Sequence, residues 1–218
     1  PVLMSDYRKV INEIAEFAHT DFEARTLARD TALTRARSLT RHSANAIRAI
    51  HRGEIEESEK FLEQARQLVE ALRSELAAYP DLYHAGYTQD AIKEYCEASI
   101  TCALIRRTEL PTPESLGVIA STYLRGMAET PGELRRRCMD ILRMGYSEEA
   151  EDLLEKMDDI YSILITMDYP DAVTNGLRRQ TDLLRGIVER TRADLTLSMS
   201  EEHLKKILQK AIDTFESR

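Results

Sequence analysis

The sequence has few of the residues that interrupt helices or cross-link chains. Its 218 residues include 8 glycines, 6 prolines, 3 cysteines and no tryptophan. Because proline and glycine disfavour helix interiors most strongly, their scarcity favours long helices. The cysteines, Cys96, Cys102 and Cys138, are odd in number and lack the Cys-x-x-Cys spacing of a metal or redox site. We therefore expect reduced, partly buried thiols.

Long apolar runs are also missing. No such run approaches the roughly 20 residues that a membrane helix needs. The first residues do not have the pattern of a signal peptide. These two observations predict a cytoplasmic protein that has no membrane contact.

The residues that are plentiful predict an all-α protein. Hydrophobic residues make up 43% of the chain and charged residues 31%, with many of the strong helix formers Ala, Leu, Glu and Arg. No proline or glycine occurs between positions 2 and 52, so we predict a long N-terminal helix of roughly 45 residues. The remaining patterns predict a single compact unit over 1–218, with about six or seven helices in total.

Three later segments carry more specific expectations. The stretch 98–105 contains no charged residue, and a helix that is apolar on all sides is normally surrounded by protein. A helix over 121–144 is expected to be interrupted at Gly126, Pro131 and Gly132, with a kink at the proline. Near the C-terminus we predict two helices, one over 177–198 and a last one that Ser200 caps.

The net charge of the chain and the distribution of its charges give opposite indications about nucleic-acid binding. A net charge of −8 argues against a general nucleic-acid binder, because phosphates reward basic surface. However, no acid lies between Asp30 and Glu54, and four arginines there fall within an arc of about 60° on one helix. Such a stripe can contact phosphates. The alternative is that these arginines form salt bridges with acids on neighbouring helices. The residues of this arginine stripe are Arg37, Arg41, Arg48 and Arg52.

Two pairs of glutamates have the spacing of metal ligands on a helix. Glu94 and Glu97 lie three residues apart, and Glu129 and Glu133 lie four apart, so each pair shares a helix face. Four carboxylates suit a hard cation such as Mg²⁺ or Mn²⁺. The first pair precedes the uncharged stretch 98–105, where an unpaired carboxylate would be costly. The alternative is that the glutamates form ion pairs with Arg125, Arg135 or Arg106.

Three segments resemble the translin/Trax family, and archaeal Trax-like proteins in particular. The segment 27–52 is similar to the long N-terminal helix of the family, with an early Arg-Asp and a final His-Arg. The segment 123–136 begins Tyr-Leu-Arg-Gly at Tyr123 and continues Gly-Glu-Leu-Arg-Arg from Gly132, which resembles the family core. The segment 176–196 also looks like archaeal members. The order and spacing of the three segments extend the resemblance over nearly the whole chain.

The resemblance implies a site and an activity. Trax is the nuclease subunit of the family, and its site takes a Glu-x-x-Glu from the third helix and an acidic pair from the next. Here these match Glu94 with Glu97 and Glu129 with Glu133, although Glu129 stands where the family nuclease typically has aspartate. The resemblance thus implies an endoribonuclease that cuts single-stranded RNA with Mg²⁺ or Mn²⁺ bound to these four catalytic residues. The arginine stripe would bind the RNA backbone.

The resemblance also implies an assembly and leaves alternatives open. Family members form closed shells that enclose RNA, so we expect a homo-oligomer of six or eight chains. A second hypothesis is a non-catalytic protein closer to translin, which lacks the full acidic set and binds single-stranded RNA or DNA. A third is a structural helical protein whose arginines serve only assembly.

Overall fold

The longest element of the chain is its first helix. In the computed structural model, which describes residues 2–216 and the side chains of 7–216, α1 spans Val2–His51 without a break. The long N-terminal helix is therefore confirmed. Its second half packs into the core, whereas the residues of 7–31 are exposed or at most half-buried, with Arg25 paired to Asp81. The buried side chains of α1 begin at Ala32 and include Ala36, Leu39, Ala46, Ile47 and Ile50.

A sharp turn at Gly53 reverses the chain after α1. Gly53 has a φ of +76°, a conformation that costs a glycine little and other residues more. The next helix, α2 (Ile55–Glu75), packs back along α1, and an ion pair joins Arg35 to Glu75. The short helix α3 (Pro80–Tyr83) follows.

The fourth helix lies at the centre of the fold. α4 (Gly86–Arg106) packs against α1 and α2 and against a later helix, and 13 of its 21 residues are buried. Residues 98–103 are all buried, which confirms that the uncharged stretch is surrounded by protein. Any charged side chain on α4 therefore depends on partners from neighbouring helices.

The helix that packs on α4 follows a short helical turn, α5 (Pro113–Leu116). α6 (Ala120–Leu142) runs continuously through the buried Pro131, so the expected interruption of this helix is wrong. The Thr130 hydroxyl donates a hydrogen bond of 3.1 Å to the carbonyl of Gly126 within the same turn. α6 also packs on α7 (Glu148–Leu164).

The C-terminal part forms one helix, whereas the sequence predicted two. After the short α8 (Asp171–Thr174), α9 extends over Leu177–Glu216 as 40 continuous residues. Ser200 caps nothing, because its hydroxyl donates a hydrogen bond of 3.0 Å to the carbonyl of Thr196 inside the helix. A serine hydroxyl can accept a hydrogen bond from the first turn of a helix or donate one to the preceding turn, so its presence alone did not mark a helix start.

The described part of the chain contains nine helices and no strand, which confirms the all-α prediction. Six of these helices are longer than four residues, and their buried faces form one large core cluster. No helix within 2–216 is both long and apolar enough to cross a membrane. Past Leu195, α9 buries none of its described side chains, so each end of the chain carries a long exposed helical extension.

Candidate metal centre and nucleic-acid interface

The site begins with a close approach between α4 and α6 at Gly126. A Cβ atom added to Gly126 would lie 2.7 Å from Cys96 Cβ, 2.8 Å from the Lys93 carbonyl oxygen and 2.9 Å from the Glu97 amide nitrogen. Real Cβ atoms do not come so close to other atoms, so only glycine allows the two backbones to touch here. This contact brings the Glu94–Glu97 turn of α4 against the turn of α6 that carries Glu129.

Three of the four predicted glutamates meet at this crossing. Glu94, Glu97 and Glu129 each place a carboxylate oxygen within 4.8 Å of those of the other two. We call these three residues the acid cluster. All three are half-buried, so their mutual repulsion is screened less than it would be in open water. The cluster combines acids from two helices, as the resemblance to the translin/Trax family implied.

A lysine from α4 lies inside the acid cluster. The Lys93 ammonium is 3.0 Å from Glu94 Oε1 and also donates to Glu129 Oε2, while its side chain is only 11% exposed. Burial lowers the pKa of Lys93, but the Glu129 and Glu94 carboxylates outweigh that effect and hold the pKa above its ordinary value. From α9, the Gln180 amide donates a hydrogen bond of 2.8 Å to Glu129 Oε1. Both oxygens of Glu129 therefore have partners.

Glu97 differs from the other two members. It has no hydrogen bond or ion pair within the described residues, yet it is surrounded by acids. Burial, followed by repulsion from Glu94, Glu129 and Glu133, raises the pKa of Glu97 to about 8. A carboxylate in that environment is stabilised by any cation that reaches it.

Glu133 lies one turn further along α6 and has its own partner. His51 Nε2 and Glu133 Oε2 are 2.6 Å apart, and the His51 side chain is only 4% exposed. The hydrogen bond with His51 lowers the pKa of Glu133 despite its burial, and Arg136 Nη1 lies 3.7 Å from the same oxygen. Glu133 thus lies beside the acid cluster, close enough to raise the pKa of Glu97, but is not one of the three that converge.

The arginines that could have neutralised the glutamates pair elsewhere. Arg125 donates to Asp90, Arg135 donates to Asp194, and Arg106 pairs with Glu59. The alternative that these arginines hold the four glutamates is therefore wrong.

Sequence reasoning did not find three of the groups that contact these acids, namely Lys93, His51 and Gln180. The only signal was the position of His51 in the terminal His-Arg of the segment 27–52.

All three cysteines are buried as expected. Burial raises the pKa of the Cys96 thiol to about 12.

The arginine stripe lies on the exposed face of α1. Arg37 has no hydrogen-bond or ion-pair partner in the described part of the chain, and Arg41 and Arg48 contact only Ser38 and Asn45. The fourth member, Arg52, pairs with the neighbouring Glu54. In the described residues, none of the four arginines therefore pairs with an acid inside a neighbouring helix, as the salt-bridge alternative required.

A groove lies between Arg37 of the stripe and Glu94 of the acid cluster. It has a volume of about 440 Å³ and runs between the second half of α1 and the start of α4. On the α1 side it is lined by Arg37 and Thr40, and on the α4 side by Tyr87, Asp90 and Glu94. A ligand that follows this groove would contact an unpaired guanidinium and the edge of the acid cluster together.

The structure as a whole defines a class of protein, namely an all-helical chain with a partly buried acidic site where its central helices cross. Comparison with known proteins identifies the family. The structure of the C3PO complex from the archaeon Archaeoglobus with duplex RNA contains a chain that is 33% identical, with a TM-score of 0.79 over 85% of this chain and 96% of that one. A second crystal structure of the same protein is 31% identical, with a TM-score of 0.76 over 85% and 97%. The chain belongs to the translin/Trax family.

Two further comparisons agree with this assignment. The apo C3PO structure from Nematostella shares the fold at 21% identity, with a TM-score of 0.77 over 84% of this chain and 96% of that one. An uncharacterised protein of Methanocaldococcus jannaschii is 28% identical over 213 residues, which are 94% of this chain and 90% of the relative. No family model matches the sequence.

Proposed function

We propose that this protein is a metal-dependent endoribonuclease that acts on single-stranded RNA as an oligomer of Trax-like subunits. The observation that carries the proposal is the acid cluster, one member of which, Glu94, lines a groove that also contains the unpaired Arg37. Among its structural relatives, the Archaeoglobus C3PO complex was solved with duplex RNA. A groove that brings a phosphate held by Arg37 next to the carboxylates and their metal would be suited to cutting a phosphodiester.

The acid cluster fits a hard divalent cation. Its donors are carboxylate oxygens from two helices, and Glu97 has no partner of its own in the described residues. A bound Mg²⁺ or Mn²⁺ would supply an activated water and charge stabilisation at the phosphate. Glu94, Glu97 and Glu129 would hold the ion, and His51 would keep Glu133 ionised and oriented beside it.

The arginine stripe gives the RNA backbone a path to the cluster. From Arg37 to Arg52 the stripe covers about 22 Å of helix. Its exposed guanidiniums can release counterions from phosphates, which offsets the net charge of the chain. The side chains at its Arg37 end would fix the register of the RNA, because Glu94 lies across the same groove.

The two helical extensions support an assembly of several chains. Phe17 and Phe22 on α1 are 76% and 64% exposed, and Leu208 and Phe215 on α9 are 54% and 77% exposed. Apolar side chains repeated along an unpartnered helix are typical of interaction surfaces. We propose that these extensions join six or eight copies into a closed homo-oligomer.

Cleavage of labelled RNA tests the proposal. The wild-type protein should cut single-stranded RNA in Mg²⁺ or Mn²⁺ and lose activity in excess chelator. Glu97→Gln and Glu129→Gln should each lower the rate on the order of a hundredfold or more, because a ligand is lost while the shape is kept. Glu155→Gln, at an exposed position on α7, is the matched control. Unchanged rates in both cluster variants would refute the site, and a duplex substrate run in parallel tests the strand preference.

A second candidate function is RNA or single-stranded DNA binding without cleavage. Lys93 favours it, because the ammonium already offsets one of the two negative charges of Glu94 and Glu129 without a metal. Tight binding to RNA together with no product in Mn²⁺ would select this function over the nuclease.

A further inference from the structure

Lys93 is a cation built into the site where a metal is proposed to bind. Its ammonium contacts Glu94 on its own helix and Glu129 on α6. A buried ammonium is costly unless acids surround it, and this one has two. The contact with Glu129 also ties α4 to α6, next to the crossing at Gly126.

A divalent ion and this ammonium need the same oxygen atoms. The ammonium is a compact point charge with three donors on a flexible stem, so it can move off a carboxylate without moving the backbone. Gln180 donates to the other oxygen of Glu129, so each oxygen of that carboxylate already has a hydrogen-bond donor. A metal that binds Glu129 through the Lys93-bound oxygen therefore competes with the ammonium for it.

We propose that Lys93 competes with the divalent ion for Glu94 and Glu129, and thereby sets the metal concentration at which the site loads. The inference rests on the proposed metal site and concerns its regulation. Without metal, Lys93 partly neutralises the cluster and preserves the contact between α4 and α6. With metal, the ammonium leaves Glu129 and becomes accessible from the groove that Glu94 lines.

Calorimetric titration of the full chain with Mn²⁺ measures the competition. Lys93→Gln should bind Mn²⁺ at least about tenfold more tightly than wild type, because the neutral amide no longer competes for charged oxygens. Lys93→Arg keeps the charge and should stay within about threefold of wild type. The matched control is Lys156→Gln, since Lys156 is also partly buried and holds Asp152 at 2.7 Å, outside the cluster. Glu97→Gln should weaken the binding, which locates the ion at the cluster.

The wild-type protein offers a second measurement that requires no variant to fold. The rate at which acetic anhydride modifies Lys93, followed by mass spectrometry, should rise when Mn²⁺ is added, while the rate at Lys156 should not. If Mn²⁺ binds the wild type and Lys93→Gln equally, or leaves the Lys93 rate unchanged, the competition is refuted and the metal site stands. If neither protein binds Mn²⁺, both the competition and the proposed metal site are wrong.

Discussion

Replacing Gly126 with alanine should separate α4 from α6 and damage the site without touching any of its charged groups. The added Cβ would start 2.7 Å from Cys96 Cβ and must reach about 3.4 Å for ordinary contact, so the helices have to move by about 0.7 Å at that point. Two of the three nearest atoms belong to the backbone of α4 and cannot rotate away. Overpacking of this kind costs about 1–3 kcal/mol.

The helical preference of alanine partly offsets that cost, and a second glycine in α6 measures the offset. Gly132 is exposed and has nothing within 4 Å of its added Cβ. Gly132→Ala should therefore stabilise the protein by up to about 1 kcal/mol. Urea unfolding would compare both variants with wild type, and Mn²⁺ titration would report whether the cluster still converges. A Gly126→Ala protein as stable as Gly132→Ala, with unchanged Mn²⁺ affinity, would refute the close approach of the two backbones.

Four other substitutions test separate parts of the structure. In metal-free protein, Glu97 has a pKa raised to about 8, so its folded form holds a proton that the unfolded form releases. Stability should thus fall by at most about 1.4 kcal/mol per unit as pH rises from about 4.5 to 8, and Glu97→Gln should abolish that fall in urea unfolding with chelator. His51→Ala should cost about 1–3 kcal/mol of stability, because it leaves the partly buried Glu133 without its hydrogen bond. Arg37→Ala should weaken RNA binding and reduce its salt dependence by about 0.7 in the log–log slope, whereas Arg66→Ala, whose guanidinium is already paired with two glutamates, should change neither. Leu204→Asp should lower the assembly size in light scattering if the exposed face of α9 is an interface, and an unchanged size would exclude that residue from it.

The sequence was sufficient for features that depend on local patterns. The length of α1 follows from the absence of proline and glycine, and the burial of α4 follows from its uncharged stretch 98–105. The spacing of Glu94 and Glu97 placed both on one helix face. By contrast, the single helix α9 was predicted as two, because Ser200 has the same side chain whether it caps a helix or bonds back to the preceding turn.

The partners of the acids could not be read from the sequence, because each comes from a distant position. Lys93 reaches Glu129 across 36 residues, His51 reaches Glu133 across 82, and Gln180 reaches Glu129 across 51. Lys93 is also the immediate neighbour of Glu94 in the sequence. Because adjacent residues on a helix do not normally face each other, their ion pair was not expected. Only the packing of α1, α4, α6 and α9 around one point brings these groups together.

That packing gives Glu129 and Glu133 different partners, although both lie on one face of α6. Because α6 continues through Pro131, Glu129 and Glu133 keep the spacing of successive turns. Glu129 is nevertheless shared between an ammonium and an amide, both of which a cation could replace or supplement. Glu133 is fixed by a nearly inaccessible imidazole that holds its pKa down. The exchangeable contacts therefore lie on the Lys93 side of the site and the fixed contact lies on the His51 side. The groove lined by Arg37 meets the site at Glu94, which also contacts Lys93, so the proposed RNA path reaches the exchangeable contacts and not the fixed one.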